Sequence, residues 1–168
     1  INDAKRILGE CPSLHKVGIT GSYGKTSMKF YLDELLNSKY NTLKTPESFN
    51  TPMGVTITIR NYLKPTHEYF ICEMGAMWRG EITECCELAS PKLGIITSIG
   101  PQHLQTFGSL ETIIETKFEL AEAVRQNNGT IFLNYDNENI AKHHCNTAKL
   151  KYGIKAKNLD YKADKLQT

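Results

Sequence analysis

An α/β fold in three layers, a mostly parallel sheet covered by helices on both faces, is predicted for this chain by three observations. Short apolar runs alternate with helix-periodic stretches, the pattern of repeated strand–helix–strand units. The runs "HKVGIT", "EYFICEMG" and "KLGIITSIG" are near-continuously apolar, as strands buried on both faces are. The first of them passes through the glycines of "TGSYGKTS" directly into a helix-periodic segment.

The elements follow in order. Residues 1–15 read as a flank or linker ahead of a domain over 16–168, and they lack the apolar core of a signal peptide. "HKVGIT" is the first strand. "TSMKFYLDELLN" then repeats apolar residues at Met28, Tyr31, Leu32 and Leu35, a helical spacing. "YNTLK" reads as a strand and "TPESFN" as a polar loop. Thr51 as cap and Pro52 at the first helical position open the next helix. "EYFICEMG" is a buried strand, "GEITECCELAS" a helix, and "KLGIITSIG" a strand stopped by Gly100. A long helix spans Ser109 to Gln126, followed by the turn "NNG", the strand "TIFLN", a short helix around Asn137 to His144 and the strand "KLKYG". After Gly153 the sequence is polar and weakly patterned.

Composition narrows the function. The net charge of +2 includes no Lys/Arg block, so a nucleic-acid partner is not indicated. No apolar run approaches the ~20 residues of a membrane helix, so no membrane insertion is expected. The five cysteines are odd in number and show no Cys-x-x-Cys spacing, and they read as reduced, partly buried thiols of a cytoplasmic protein. "HHC" at 143–145 is the one tempting metal cluster. Adjacent side chains on a helix point apart, which argues against it.

Ligands of open α/β sheets bind beyond the carboxyl ends of the strands, and four candidate features fall there. In Gly21–Ser27 the glycines let backbone N–H groups face a phosphate at a helix N-terminus. Lys25 would reach the β- and γ-phosphates, and the Thr26 hydroxyl a Mg²⁺. A P-loop NTPase-like domain is thereby indicated, although Ile19 stands where the commoner spacing has its first glycine. The plain alternative is a turn with an exposed lysine. Glu73 closes a buried run and is either a surface acid or a metal-holding carboxylate. His103 lies in a Gly/Pro loop and by itself reads as a solvated histidine. Lys117 falls on the helical stripe of Leu110, Ile114, Ala121 and Val124. There it either snorkels its amine to the edge or is buried and chemically modifiable.

Together these residues resemble one family. "VGITGSYGKTS" is similar to the ATP-binding loop of the Mur ligases and folylpolyglutamate synthases, Thr-Gly-(Ser/Thr)-x-Gly-Lys-Thr after a strand. "CEMGAMWRGEI", "TSIGPQHLQTFGSLETIIETKFEL" and "TPESFNTPMGV" resemble further family segments, and within the family the branch that joins D-alanyl-D-alanine to UDP-N-acetylmuramoyl-tripeptide. The resemblance implies an ATP- and Mg²⁺-dependent amide ligase working through an acyl phosphate. Gly21, Ser22, Tyr23, Gly24, Lys25, Thr26 and Ser27 would surround the phosphates. Thr26 and Glu73 would hold one Mg²⁺ and His103 a second. Lys117 matches a lysine that the family carbamylates. Asn134 would lie near the adenine, Asp136 near the nucleoside, and Thr45 and Asn50 in the loop facing the UDP-sugar peptide. Tyr23 departs from the small or amide residue common there, and Met77 and Trp78 depart at the rim.

The family plan adds a UDP-binding domain before this one and a Rossmann-like domain after it. The chain is therefore expected to be a central ATPase domain, monomeric, truncated at its C-terminal end, binding nucleotide weakly and with little or no ligase activity by itself. Folylpolyglutamate synthase-like and cyanophycin synthetase-like ligases would share Lys25, Glu73, His103 and Lys117. A non-catalytic nucleotide-binding module also stays open.

Overall fold

Near-continuous burial of β1 and β3 along their apolar runs sets the architecture seen in the computed structural model, which describes residues 2–164. The strands are β1 (His15–Thr20), β2 (Thr42–Lys44), β3 (Tyr69–Glu73), β4 (Leu93–Ile96), β5 (Thr130–Asn134), β6 (Ala148–Gly153) and β7 (Tyr161–Lys162). The helices are α1 (Asn2–Gly9), α2 (Lys25–Asn37), α3 (Pro52–Tyr62), α4 (Glu81–Ala89), α5 (Leu104–Phe107), α6 (Leu110–Gln126) and α7 (Glu138–Lys142). The strands form one sheet in the order β2-β3-β1-β4-β5-β6-β7, and every pairing is parallel.

Alternate strand residues build two unequal cores. Phe70, Cys72, Ile96, Ile131 and Leu133 face α1, α3, α4 and α6, where Val55, Ile59, Ile82, Ile113, Leu120 and Val124 pack against them. Each fully buried side chain of this kind contributes ~1.5–3 kcal/mol, so this face carries most of the hydrophobic stabilisation. Val17, Ile19 and Ile71 turn to the other face, under Met28, Leu32 and Leu36 of α2. Helix cover there is α2 alone among the described residues. Towards β5 and β6 an open apolar groove of ≈ 450 Å³ is lined by Leu93, Ile95, Phe132, Tyr152 and Tyr161.

Several elements differ from the sequence expectation. Residues 1–15 are no linker over their first half: α1 buries Ala4 and Leu8, one turn apart, in the main core. Its exposed side carries Arg6 paired with Asp3 and Glu10. On α2 the sheet-facing stripe is Met28, Leu32 and Leu36, whereas Tyr31 and Leu35 are 69% and 72% exposed. The rotation follows from Thr26 and Lys29, which are both drawn to Glu73. β4 ends at Ile96, four residues before Gly100. The polar groups of Thr97 and Ser98 leave the ladder to bond the glycine loop after β1. Beyond Gly153 the chain adds β7. α7 stops at Lys142, so "HHC" lies off the helix: the His143 ring lies tilted against Phe118, and His144 bonds Asn146.

Order and register place the site. Ile19 pairs with Glu73, and Thr20 with Ile96, so the carboxyl ends of β3, β1 and β4 lie side by side. The Thr20 hydroxyl donates to the Met74 carbonyl, 2.8 Å, and the Thr97 amide donates to the Thr20 carbonyl, 3.0 Å. The chain leaves β1 towards one sheet edge and later returns to build the other. The loop after β1 therefore leaves the sheet where the strand order reverses, the place at which open α/β sheets bind ligands.

A candidate nucleotide and metal site at the strand ends

Residues 21–24 wrap from β1 into α2 under tight bracing. Gly21 is enforced by packing: a Cβ there would lie 2.2 Å from Thr97 Oγ1. Gly24 holds φ 81, the left-handed region, and caps α2 without a side-chain bond. The first amides of α2 are thus free to meet an anion, with the helix dipole adding to the attraction. The Ser22 amide donates to the Ser98 carbonyl, 2.7 Å, and the Ser22 hydroxyl donates to the Gly100 carbonyl, 3.0 Å. The Tyr23 carbonyl accepts from the hydroxyls of Thr97, 2.6 Å, and Ser98, 3.0 Å. The Tyr23 ring lies against Gly100, where a Cβ would come within 2.9 Å of it. Tyr23 thus has a local account: its ring requires a glycine opposite. Ser27 is exposed at the start of α2.

Lys25 folds its amine over the loop, donating to the carbonyls of Gly21, 2.8 Å, and Ser22, 3.3 Å. Burial lowers its pKa, and the charge of Glu73 opposes that shift.

Glu73 ends β3 at 1% exposure and is no surface acid. Its Oε1 accepts from Thr26 Oγ1, 3.1 Å, and Asn50 Nδ2, 3.2 Å, and its amide donates to Thr45 Oγ1, 3.1 Å. Lys29 Nζ lies 2.9 Å from Oε2 and holds that oxygen as a buried ion pair. A hydroxyl and a carboxylate side by side are the hard oxygen donors that Mg²⁺ takes. Among the described residues no three His, Cys, Asp or Glu side chains cluster as a metal site. Thr26 and Glu73 thus offer two oxygen donors, fewer than an all-protein cage would supply.

Lys117 does not snorkel: it is 3% exposed among Ile113, Ile114, Phe118 and Ala121 on α6. Its amine stands 5.8 Å from the Phe107 ring centroid. Burial, reinforced by the charge of Lys25, brings its pKa down to about 8, against weaker pulls from Glu119 and Glu81. His103 is exposed, with φ 57, at the start of α5. Its carbonyl accepts from the amides of Thr106 and Phe107, both 3.0 Å, so its loop abuts the ring beneath Lys117.

Asn134 donates to the Thr97 carbonyl, 2.8 Å, at the end of β5. The Asp136 carboxylate accepts from the amides of Ile154, 2.6 Å, Lys155, 2.9 Å, and Ala156, 2.7 Å, which lower its pKa and fix the turn after β6. It is engaged in shaping that rim. The cysteines are free, and burial pushes Cys85 to about 12, making it an inert core thiol.

Two functional-looking groups escaped the sequence reading. Lys29 stands four residues after Lys25, next to the apolar positions Met28 and Leu32, and that placement was its available signal. Thr97 carried none, because its role depends on a loop more than seventy residues earlier in the chain.

A family model described as the Mur ligase middle domain matches residues 19–168. The chain is similar to the UDP-N-acetylmuramoyl-tripeptide–D-alanyl-D-alanine ligase of Mycobacterium leprae, 39% identical over 125 residues, covering 74% of this chain and 24% of that protein. The ligase of the same name from Escherichia coli is 35% identical over 121 residues, 72% of this chain and 26% of that one. The crystal structure of MurF ligase from Thermotoga maritima in complex with ADP superimposes with a TM-score of 0.82 at 32% identity, covering 91% of this chain and 35% of that chain. The chain spans about a quarter of the length of these curated relatives.

Proposed function

The chain belongs to the Mur ligase family through its middle domain, and from that premise we propose that it is the ATP-binding unit of a cytoplasmic ligase. That ligase adds D-alanyl-D-alanine to UDP-N-acetylmuramoyl-tripeptide, a step of peptidoglycan precursor synthesis. The observation that carries the reading is the contact between Thr26 and Glu73, which joins the end of the phosphate loop to the end of β3. It supplies two oxygen ligands beside a loop built for phosphates.

In this reading the amides of Gly21–Thr26 and the Lys25 amine bind the β- and γ-phosphates. Thr26 and Glu73 would hold Mg²⁺, and His103 would hold a second ion. Mg²⁺, when bound, offsets the negative charge that gathers as two anions meet. The tripeptide carboxylate attacks the γ-phosphorus, and the bond to the bridging oxygen of ADP breaks, giving an acyl phosphate. The amine of D-alanyl-D-alanine then attacks the acyl carbon, loses a proton and expels phosphate. Lys25 stabilises the transferring group by position and charge. The low pKa of Lys117 leaves a substantial fraction of neutral amine near pH 8. That amine adds to CO₂, forming an N–C bond and releasing a proton, and the carbamate anion turns the cation of the α6 stripe into a ligand-like group. Asn134 lies on the adenine side, Asp136 shapes the nucleoside rim, and Thr45 and Asn50 present the acceptor loop.

Phosphate release by the whole protein carrying this domain tests the reading. Release that requires ATP, Mg²⁺, the UDP-tripeptide and D-alanyl-D-alanine together is expected, and it should fall by a factor of about 10³ in Lys25→Ala. Phosphate release indifferent to the two acceptor substrates would refute it. No helix among the described residues is long and apolar enough to cross a membrane.

A further inference from the structure

Lys29 is fully buried, and nothing in the proposed chemistry uses it. An ammonium in that position is costly unless its partners hold it closely, and its partners lie on two different elements. Nζ sits 2.9 Å from Glu73 Oε2 at the end of β3, and it donates to the Glu47 carbonyl in the loop 45–50. Glu47 has φ 38, a left-handed backbone that a glutamate adopts only when its surroundings hold it there. The two ends of the same loop are fastened to the same strand end. Thr45 Oγ1 accepts from the Glu73 amide, 3.1 Å, Asn50 Nδ2 donates to Glu73 Oε1, 3.2 Å, and the Gly75 amide donates to the Asn50 carbonyl, 2.7 Å. Lys29 fastens the middle.

From this geometry we infer that Lys29 is a positioning residue that ties Glu73 to the loop 45–50, so that the nucleotide-side carboxylate and the acceptor loop move as one unit. The inference rests on the proposed function only in naming that loop as the acceptor's. Thr26 and Lys29, three residues apart on one face of α2, address the two oxygens of one carboxylate. Whatever draws on Glu73 from the phosphate side is transmitted through Lys29 to the Glu47 carbonyl. A lysine present only to neutralise Glu73 would need no second partner on a strained loop.

Amide hydrogen exchange in the whole protein, without nucleotide, tests the tie. Four forms are compared: wild type, Lys29→Met, Glu73→Gln, and the double substitution. The double form leaves neither charge unpaired, so its comparison with Glu73→Gln is free of the stranded carboxylate that Lys29→Met alone leaves. Exchange at 47–50 is expected to rise about tenfold in the double form over Glu73→Gln, with core strands unchanged. Equal exchange in those two forms, or a rise spread evenly through the core, overturns the proposal. In steady-state assays Lys29→Met should raise the KM for the UDP-tripeptide about fivefold or more and leave that for ATP unchanged, a split that lost packing alone does not give. Equal rises in both overturn it too. A positive exchange result in a protein that proves to be no ligase keeps the tie and discards the proposed function.

Discussion

The two walls of the candidate site are built on opposite principles. On the β3 side Glu73 is saturated: Thr26, Asn50, Lys29 and Thr45 all bind it or its backbone. On the α6 side Lys117 is buried against an aromatic ring and depressed in pKa, and His103 stands exposed on a short helix. The first wall arrives preorganised. The second carries a group whose charge the fold opposes, and a reaction or a ligand must complete it. Charge stabilises one wall and strains the other.

Substitutions sharpen that contrast, because removing a charge should have opposite signs on the two sides. Glu73→Ala strands the Lys29 ammonium and is expected to cost about 3–5 kcal/mol in chemical denaturation. Lys117→Met should do the reverse in CO₂-free buffer. A lysine whose folded pKa is about 8 opposes folding while it is charged. The substitution therefore stabilises by about 3 kcal/mol at pH 7, and the gain shrinks as pH rises from about 8 towards 10.5, where the unfolded lysine also loses its proton. Bicarbonate should narrow the gap by stabilising wild type only. A Lys117→Met protein less stable than wild type at pH 7 would show that the amine has a strong partner and that the contrast is false.

Smaller effects test the bracing between the walls. Gly100→Ala pushes a methyl group into the Tyr23 ring and should cost about 1–3 kcal/mol. Combined with Tyr23→Ser, most of that loss should return, a coupling readable in a double-mutant cycle. His103→Ala, at an exposed position, is expected to change stability by less than about 0.5 kcal/mol while lowering Mg²⁺-dependent turnover. A large stability loss would place His103 within the packed scaffold.

What the sequence disclosed follows from how local each signal is. The strand-to-helix glycine loop, the Thr51 cap and the α6 stripe are written within a few neighbouring residues, and the structure has each of them. Burial of Glu73 and Lys117 was one of two open readings, because an apolar neighbourhood does not tell which end of a side chain it encloses. The orientation of α2 was misjudged, since Tyr31 and Leu35 fit the helical period as well as Leu36 does. Bonds from Thr26 and Lys29 to a strand end far along the chain decided between them. α1 carries Ala4, Ile7 and Leu8 at helical spacing, but two turns of such a pattern do not by themselves separate a packed helix from a flank. The engagement of Asp136 with residues 154–156 was likewise invisible in a stretch without pattern.

The brace of Ser22 and Tyr23 by Thr97, Ser98 and Gly100 also bears on timing. The glycine loop is made before its supports, which lie 74 to 78 residues later. Closing so long a segment costs chain entropy that only the docking of β4 beside β1 recovers. A growing chain halted before Ser98 would carry the full glycine signature and still have no rigid cradle for a phosphate. Nucleotide competence should therefore appear abruptly during translation, when the fourth strand joins the sheet, and ATP could not act as a template for the earlier steps of folding.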